Sequence, residues 1–286
     1  MDGGHTINDF KNFNLQGVFS DLDRTLLDDN KNISEENLKA IRELFKRNIP
    51  FVPATGRSAG SLPENIFNIP EIRYCITSNG AAVFDLKRKK AILNTVLQKG
   101  FISEFYDFCA ENGLTAVEIY VSGKAYVPRY FYDDPVRFNQ DRVEYVKKTR
   151  TPVSDIWDFA FKNDGNTDAV CIISPKGRLK ELFSAAKEKL KNVYITNSDS
   201  LYIEISSIDS GKHNAMRRVS DMLDIDVKNC IAFGDNDNDI EMLKCAGIGV
   251  CVENGTENCK CSADIITESN VNDGVAKVIH KFLEEK

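Results

Sequence analysis

Four apolar runs in this 286-residue chain each lead into a polar residue that can bind or move charge. Residues 15–19 lead to Asp21, 49–54 to Thr55, 74–77 to Asn79 and 230–233 to Asp235. Any one of these residues can end a strand for purely local reasons. Four such ends drawn from distant stretches nevertheless point to one site, because ligands of open α/β sheets bind outside the carboxyl ends of the strands. Asp21 and Asp23 stand two apart, and residues i and i+2 of a strand project to the same side. Two carboxylates so placed repel unless a cation or a shared proton relieves them. The pattern suits a metal-linked pair or a nucleophile beside an acid/base, with a solvated turn as the plainer alternative.

A second acidic stretch follows the last of these runs, Gly234-Asp235-Asn236-Asp237-Asn238-Asp239. It begins like a calcium loop, but the sixth position holds Ile240 where glycine is required and the twelfth holds Ala246 where glutamate is required, so an EF-hand is excluded. Hard oxygen donors with no Cys or His cluster beside them favour Mg²⁺. Gly247-Ile248-Gly249 lacks the third glycine, with Val252 in its place, and is no dinucleotide fingerprint. Lys212 follows Gly211 at the head of a helical pattern (Ala215, Val219, Met222, Leu223). An ammonium there can meet a phosphate near the positive end of the helix, although most lysines are simply solvated. His213 is its neighbour, and His5 and His280 lie near the ends of the sequence; none supports Ser–His–Asp chemistry.

The elements that must position these groups alternate between strand and helix. Ser34 is a good N-cap, Glu35 and Glu36 follow in the first turn, and Leu38, Ile41, Leu44 and Phe45 recur at helical spacing. Pro50 and Pro53 count against a central strand over 49–54. Runs over 248–252 and 263–267 precede a closing helix carrying Val275, Val278, Ile279 and Phe282. Such alternation predicts right-handed βαβ units and a parallel sheet. The middle of the chain differs. Segments 116–121 and 124–130 predict a hairpin through Ser122–Gly123, and 169–174, 193–196 and 201–205 are strand-like. Helical segments near 99–112 and 176–191 complete an α+β pattern, read as a second domain inserted into the first.

Composition narrows the field. With 42% hydrophobic and 28% charged residues the chain can bury a sizeable core, which excludes collagen-like, low-complexity and wholly disordered proteins. Lys and Arg number 37 against 43 Asp and Glu, a formal net charge of −6 that argues against general nucleic-acid or anionic-membrane binding. An anionic substrate must then be met by local cations or a metal. The opening MDGGHTINDF has no basic stretch followed by an apolar run, and no stretch approaches the roughly 18 apolar residues of a membrane span, so a cytoplasmic protein is expected. Of the eight cysteines, Cys75, Cys171 and Cys230 lie in apolar runs and are expected to pack as reduced thiols. Cys251, Cys259 and Cys261 are close together, but without a C-x-x-C pair or a nearby histidine they do not make a zinc site.

Taken as a set, Asp21-Leu22-Asp23-Arg24-Thr25-Leu26, Thr55-Gly56-Arg57, Lys212 and the stretch Gly234 to Asp239 resemble the motifs of the haloacid dehalogenase (HAD) superfamily. The chain looks most similar to the Cof-type sugar-phosphatase branch. Asn79-Gly80-Ala81 matches that branch's Asn-Gly-Ala step, and Asn270 with Val271 to Val275 matches its closing stretch. The resemblance covers nearly the whole chain. It implies an α/β fold in which a Rossmann-like parallel-sheet core flanked by helices is formed by residues 1–85 and 208–286. An inserted α+β cap, residues 86–207, would close over the site and set specificity; Tyr126, Arg129 and Glu204 are candidates for contacting substrate, with ordinary surface or hairpin residues as the favoured reading of each. It implies a Mg²⁺-dependent phosphomonoesterase acting on small phosphorylated metabolites, sugar phosphates above all, in which Asp21 attacks phosphorus and Asp23 is the acid/base. Mg²⁺ would be held by the Asp21 carboxylate, the Asp23 backbone carbonyl and the Asp235 carboxylate. Thr55, Gly56 and Lys212 would bind the phosphoryl group, and Asn79, Asn238 and Asp239 would support them. A phosphotransferase or phosphomutase and an inactive phosphate-binding protein are the alternatives; a receiver-like signalling domain is disfavoured by Asp23 and by the insertion. A monomer or small homo-oligomer is expected, with neither nucleic acid nor membrane as partner. Arg24 departs from the family, which usually has glycine there; a bulky cation at that position can crowd the cap interface or contact substrate.

Overall fold

The computed structural model describes residues 13–134, 143–199 and 201–284, so His5 lies outside the described residues. In chain order the elements are β1 (Gly17–Ser20), α1 (Glu35–Lys46), β2 (Phe51–Pro53), α2 (Glu64–Phe67), β3 (Tyr74–Thr77), β4 (Ala82–Asp85) and β5 (Lys90–Asn94). Then come α3 (Phe101–Glu111), β6 (Val117–Val121), β7 (Lys124–Pro128), α4 (Arg129–Asp133), α5 (Val143–Thr149), β8 (Arg150–Val153), α6 (Ile156–Lys162) and β9 (Thr167–Ile173). The chain continues through α7 (Leu179–Lys189), β10 (Val193–Asp199), β11 (Tyr202–Ser207), α8 (Lys212–Leu223) and β12 (Cys230–Gly234). It closes with α9 (Ile240–Cys245), β13 (Ile248–Val252), α10 (Glu257–Ser262), β14 (Ile265–Thr267) and α11 (Gly274–Glu284). Two compact units result. One takes residues 1–56, 62–92 and 211–286, the other 57–61 and 93–210.

The first unit is an α/β layer structure around a five-stranded sheet of order β14-β13-β12-β1-β2, parallel throughout. Its inner strands are buried at every position, as continuous apolar runs such as Gly17–Ser20 and Ile248–Val252 require when helices cover both faces. The prolines of the second run are tolerated because β2 is the edge strand. A bridge from Ala54 to Ile76 leads beyond it to the three-stranded sheet β3-β4-β5, in which β3 and β4 are antiparallel. Ser34 caps α1 by accepting from the Asn37 amide at 3.1 Å, and α1 and α11 share one core cluster containing Ile41, Leu44, Val275, Val278, Ile279 and Phe282. The helical pattern read from Lys212 onward forms, but not all of its apolar residues are buried. Met222 is 41% exposed, because the buried stripe of α8 runs through Lys212, Ala215, Met216, Val219 and Ser220 at helical spacing, and Met222 falls off it.

The second unit contains a six-stranded sheet of order β10-β11-β9-β6-β7-β8. Its pairs are antiparallel except β7 with β8. The expected hairpin forms through Ser122 and Gly123, both at positive φ (52° and 74°), the backbone of the two-residue turn that matches strand twist. β7 stops at Pro128, however, and residues expected to extend it to 130 begin α4 instead. One apolar cluster gathers Phe101, Phe105, Ile119, Val170, Leu182 and Ile203, and Tyr126 packs against it with its ring 4.3 Å from that of Phe159. Tyr126 is therefore a packing residue. Arg129 is exposed and Glu204 half-buried. The eight cysteines are free thiols, seven of them buried and Cys261 exposed. Among the described residues no helix is long and apolar enough to cross a membrane.

Candidate active site

Strand register brings the expected residues to one edge of the parallel sheet. Ser20 at the end of β1 pairs with Phe233 of β12 on one side and Pro53 of β2 on the other. Asp21, one residue beyond that trio, and Thr55 and Asp235, two residues beyond it, are therefore delivered to the same end. The Asp21 amide prolongs the ladder by donating to the Phe233 carbonyl at 2.9 Å, and the Ala54 amide donates to the Ser20 carbonyl at 2.8 Å. Thr55 is buried, its amide bonded to the Ile76 carbonyl at 2.9 Å.

Asn79 ties this edge to α8. Its backbone is left-handed (φ 50°, ψ 38°), its amide donates to the Thr55 carbonyl at 3.1 Å, and its own carbonyl accepts from the Gly211 amide at 3.0 Å. Its side-chain Oδ1 accepts from Asn238 Nδ2 at 3.0 Å, and its side chain also lies against Gly56. Gly80 makes the crossing possible: its φ is +87°, and a Cβ there would stand 2.2 Å from the Gly211 carbonyl oxygen. Lys212, the first residue of α8, thus starts directly over the strand ends. Its buried Nζ donates to Asp21 Oδ1 and to Asp239 Oδ1, each at 2.6 Å. The other oxygen of Asp239 accepts the backbone amides of Asp235 and Asn236 at 3.1 Å, an approach that requires Gly234, since a Cβ there would lie 2.4 Å from that of Asp239.

Asp21, Asp235 and Asp239 each bring one carboxylate oxygen within 4.8 Å of the others, all three buried. Asp239, expected in a supporting place, sits inside the cluster. The carboxylate of Asp23 does not join it. β1 ends at Ser20, so strand alternation does not govern residues 21–23, and Asp23, one-third exposed, instead pairs with Lys31 Nζ at 3.0 Å. Three residues in contact with the expected ones were not anticipated. Thr25 donates through Oγ1 to Asp235 Oδ1 at 3.3 Å, and only its place in the first acidic motif signalled it. Lys31 and Asn254, the latter bonded to Arg24, carry no distinguishing sequence feature.

Burial dominates the electrostatics. It pushes the Asp21 carboxyl well above the ordinary value; Lys212 opposes the rise and the charges of Asp239 and Asp235 add to it. Burial, with the charge of Asp239, likewise pushes Asp235 up to about 7, against the opposing pull of Arg24, Lys212 and the Thr25 hydroxyl. Burial by itself would depress the Lys212 ammonium, but the two carboxylates it bonds hold it above the usual lysine range. When ionised together, the three buried carboxylates outnumber the one buried ammonium, and a cation would compensate the negative charge in excess. An all-oxygen donor set of this kind fits a hard divalent ion such as Mg²⁺.

Residues 18–279 match the model of the haloacid dehalogenase-like hydrolase family. Over 263 residues, covering 92% of this chain and 94% of the relative, the sequence is 29% identical to 5-amino-6-(5-phospho-D-ribitylamino)uracil phosphatase YcsE of Bacillus subtilis. Among solved structures, the HAD phosphatase BT1666 of Bacteroides thetaiotaomicron superposes with a TM-score of 0.80 at 24% identity, covering 95% of this chain and 96% of that one. The HAD subclass IIB sugar phosphatase BT4131 superposes with a TM-score of 0.76 at 19% identity, covering 93% and 98%. With the family model matched across most of its length and a full-length relative that is a phosphatase, the chain belongs to the haloacid dehalogenase-like hydrolases, as one of their phosphatases.

Proposed function

We propose that this protein is a Mg²⁺-dependent hydrolase of phosphomonoesters of small metabolites, sugar phosphates foremost, working through a phosphorylated Asp21. The observation that carries the reading is the Asp21 carboxylate, buried, bonded to Lys212 at 2.6 Å and within 4.8 Å of oxygens of Asp235 and Asp239. In the first half-reaction an Asp21 oxygen forms a bond to phosphorus while the bond from phosphorus to the ester oxygen breaks, and Asp23 gives its proton to the departing alcohol. In the second, Asp23 takes a proton from water, whose oxygen attacks the same phosphorus and releases inorganic phosphate and the Asp21 carboxylate. Lys212 and the Thr55–Gly56 turn would bind phosphoryl oxygens and stabilise the charge that develops on them. Asn79, Asn238 and Asp239 would hold those groups in place. Asp21 and Asp235, with the Asp23 backbone carbonyl, would hold Mg²⁺, whose charge, when bound, lets an anionic nucleophile approach an anionic phosphate.

Within this reading residues 1–85 and 208–286 form the catalytic core, and the inserted 86–207 segment sets specificity. Small phosphorylated metabolites fit the company of relatives: the Bacillus enzyme is named for a phosphorylated ribityl compound and BT4131 is a sugar phosphatase. A cytoplasmic setting suits the eight cysteines, which form no disulfide. The test is release of inorganic phosphate from p-nitrophenyl phosphate and from a panel of sugar phosphates, with Mg²⁺ and with EDTA. Mg²⁺-dependent release is expected, and Asp21→Asn should lower it by at least roughly 10³-fold. Turnover at the normal rate in Asp21→Asn removes the nucleophile, and transfer of the phosphoryl group to a second hydroxyl compound with no free phosphate replaces hydrolysis by phosphotransfer.

A further inference from the structure

Arg24 has no counterpart in the resemblance drawn from the first motif, and its surroundings are specific. It is a non-glycine residue in left-handed conformation (φ 63°), between the acidic pair and Thr25. Its Nη2 donates to the backbone carbonyl of Asn254 at 3.0 Å, and the Asn254 side-chain Nδ2 donates back to the Arg24 carbonyl at 2.8 Å. Asn254 is itself fixed, since its Oδ1 accepts the Asn270 amide at 2.9 Å. Held this way at both its backbone and its guanidinium, Arg24 sets its Nε 3.8 Å from Asp235 Oδ2, while the other oxygen of Asp235 faces the Thr25 hydroxyl. Lys212 bonds Asp21 and Asp239, so the structure gives the third carboxylate of the cluster a different cation.

We propose that Arg24 is a built-in competitor of the divalent ion: its guanidinium shares Asp235 with the metal and weakens the metal's binding. The proposal rests on the reading of Asp235 as a metal ligand. Two cations drawn to one carboxylate repel each other, and a fixed guanidinium compensates in advance part of the charge that would otherwise attract the metal. The Arg24 side chain is 59% exposed, so water and salt screen this repulsion and the effect is moderate. The left-handed backbone supports a positional role, because a side chain kept at such a φ costs conformational energy that glycine would not.

The experiment is calorimetric titration of the metal-stripped full chain with MgCl₂, which reads affinity and not turnover. Arg24→Asn removes the charge while keeping a residue that tolerates positive φ, Arg24→Gly does so with the residue that tolerates it best, and Arg24→Lys keeps the charge. Both neutral variants should bind Mg²⁺ about fivefold more tightly than the wild type, Arg24→Lys should return toward wild-type affinity, and added KCl should narrow the gap. Wild-type affinity, or weaker, in whichever neutral variant folds overturns the proposal and leaves the metal reading standing. So does unchanged affinity accompanied by a raised KM for substrate, which would assign the guanidinium to substrate. A wild-type protein that takes up no Mg²⁺, and whose heat of titration matches that of Asp235→Asn, removes the metal reading and this proposal together.

Discussion

One ammonium serves two buried carboxylates at the heart of the site, and that sharing makes the removal of Lys212 costly. Asp21 and Asp239 each lie 2.6 Å from its Nζ, and all three side chains are buried. Taking one partner out of a buried ion pair leaves an uncompensated charge, which costs about 3–5 kcal/mol. Lys212→Met is therefore expected to lose both activity and about that much stability, measured by urea unfolding at neutral pH. Lys212→Arg, which keeps the charge, should recover part of the stability and little of the activity, since a planar guanidinium cannot reproduce both 2.6 Å contacts. Stability unchanged in Lys212→Met would mean that the carboxylates are protonated and need no partner. Asp23 is a different case. Its carboxylate pairs with Lys31 at the surface, so Asp23→Asn should leave folding nearly intact while slowing phosphate release by roughly 10²–10⁴-fold, read from steady-state rates alongside a thermal melt. The sequence made Asp21 and Asp235 legible because each stands one residue beyond an apolar run. It gave no means of seeing that the strand ends one residue before Asp21 and turns the Asp23 carboxylate toward Lys31.

At the scale of elements, the site depends on where α8 begins. The crossing of Gly80 and Gly211 is so close that a Cβ at position 80 would stand 2.2 Å from a carbonyl oxygen, at a φ of +87°. Gly80→Ala must displace the start of α8, and Lys212 with it. A loss of roughly 3 kcal/mol, from overpacking together with left-handed strain, is expected in chemical denaturation, together with a fall in kcat. Wild-type stability in this variant would mean that the crossing relaxes freely. Most elements of the first unit could be read from the chain, because buried parallel strands are near-continuous apolar runs and Ser34 caps its helix as its type suggests. Legibility failed where a local signal had to be weighed against tertiary context. Pro50 and Pro53 marked an edge strand without saying which neighbour was missing, and Met222 had the right hydrophobicity at a position the α8 stripe leaves in solvent. Pro128, which ends β7 and opens α4, gave no advance sign of which it would do. Lys212 itself could be suspected as a helix-terminal cation, yet its two carboxylate partners come from the residue just after β1 and from the turn after β12, and no spacing rule connects them.

For the molecule as a whole, the acid cluster couples folding to both protons and metal. The Asp235 carboxyl is pushed from an ordinary 3.8 up to about 7, first by burial and then by Asp239. Between those two values the native state binds more protons than the unfolded chain, so this group's contribution to stability falls as pH rises from about 4 to about 7. A divalent ion reverses the balance. It binds the deprotonated carboxylates, so its uptake releases protons and strengthens across the same window, and a ligand at a hundredfold excess over its Kd adds about 2.7 kcal/mol. For a chain of this size that corresponds to roughly 4–5 °C in Tm. Melting curves in EDTA and in excess MgCl₂ should therefore diverge with pH, with a small Mg²⁺ increment at pH 5 and the full increment near pH 7.5. In Asp235→Asn the rise of the EDTA melting temperature toward neutral pH should exceed that of the wild type, since no charge has to be buried there, and the Mg²⁺ increment should largely vanish at every pH. An increment in the wild type that stays constant from pH 5 to 8 would mean that the ion binds elsewhere, on carboxylates already ionised throughout that range.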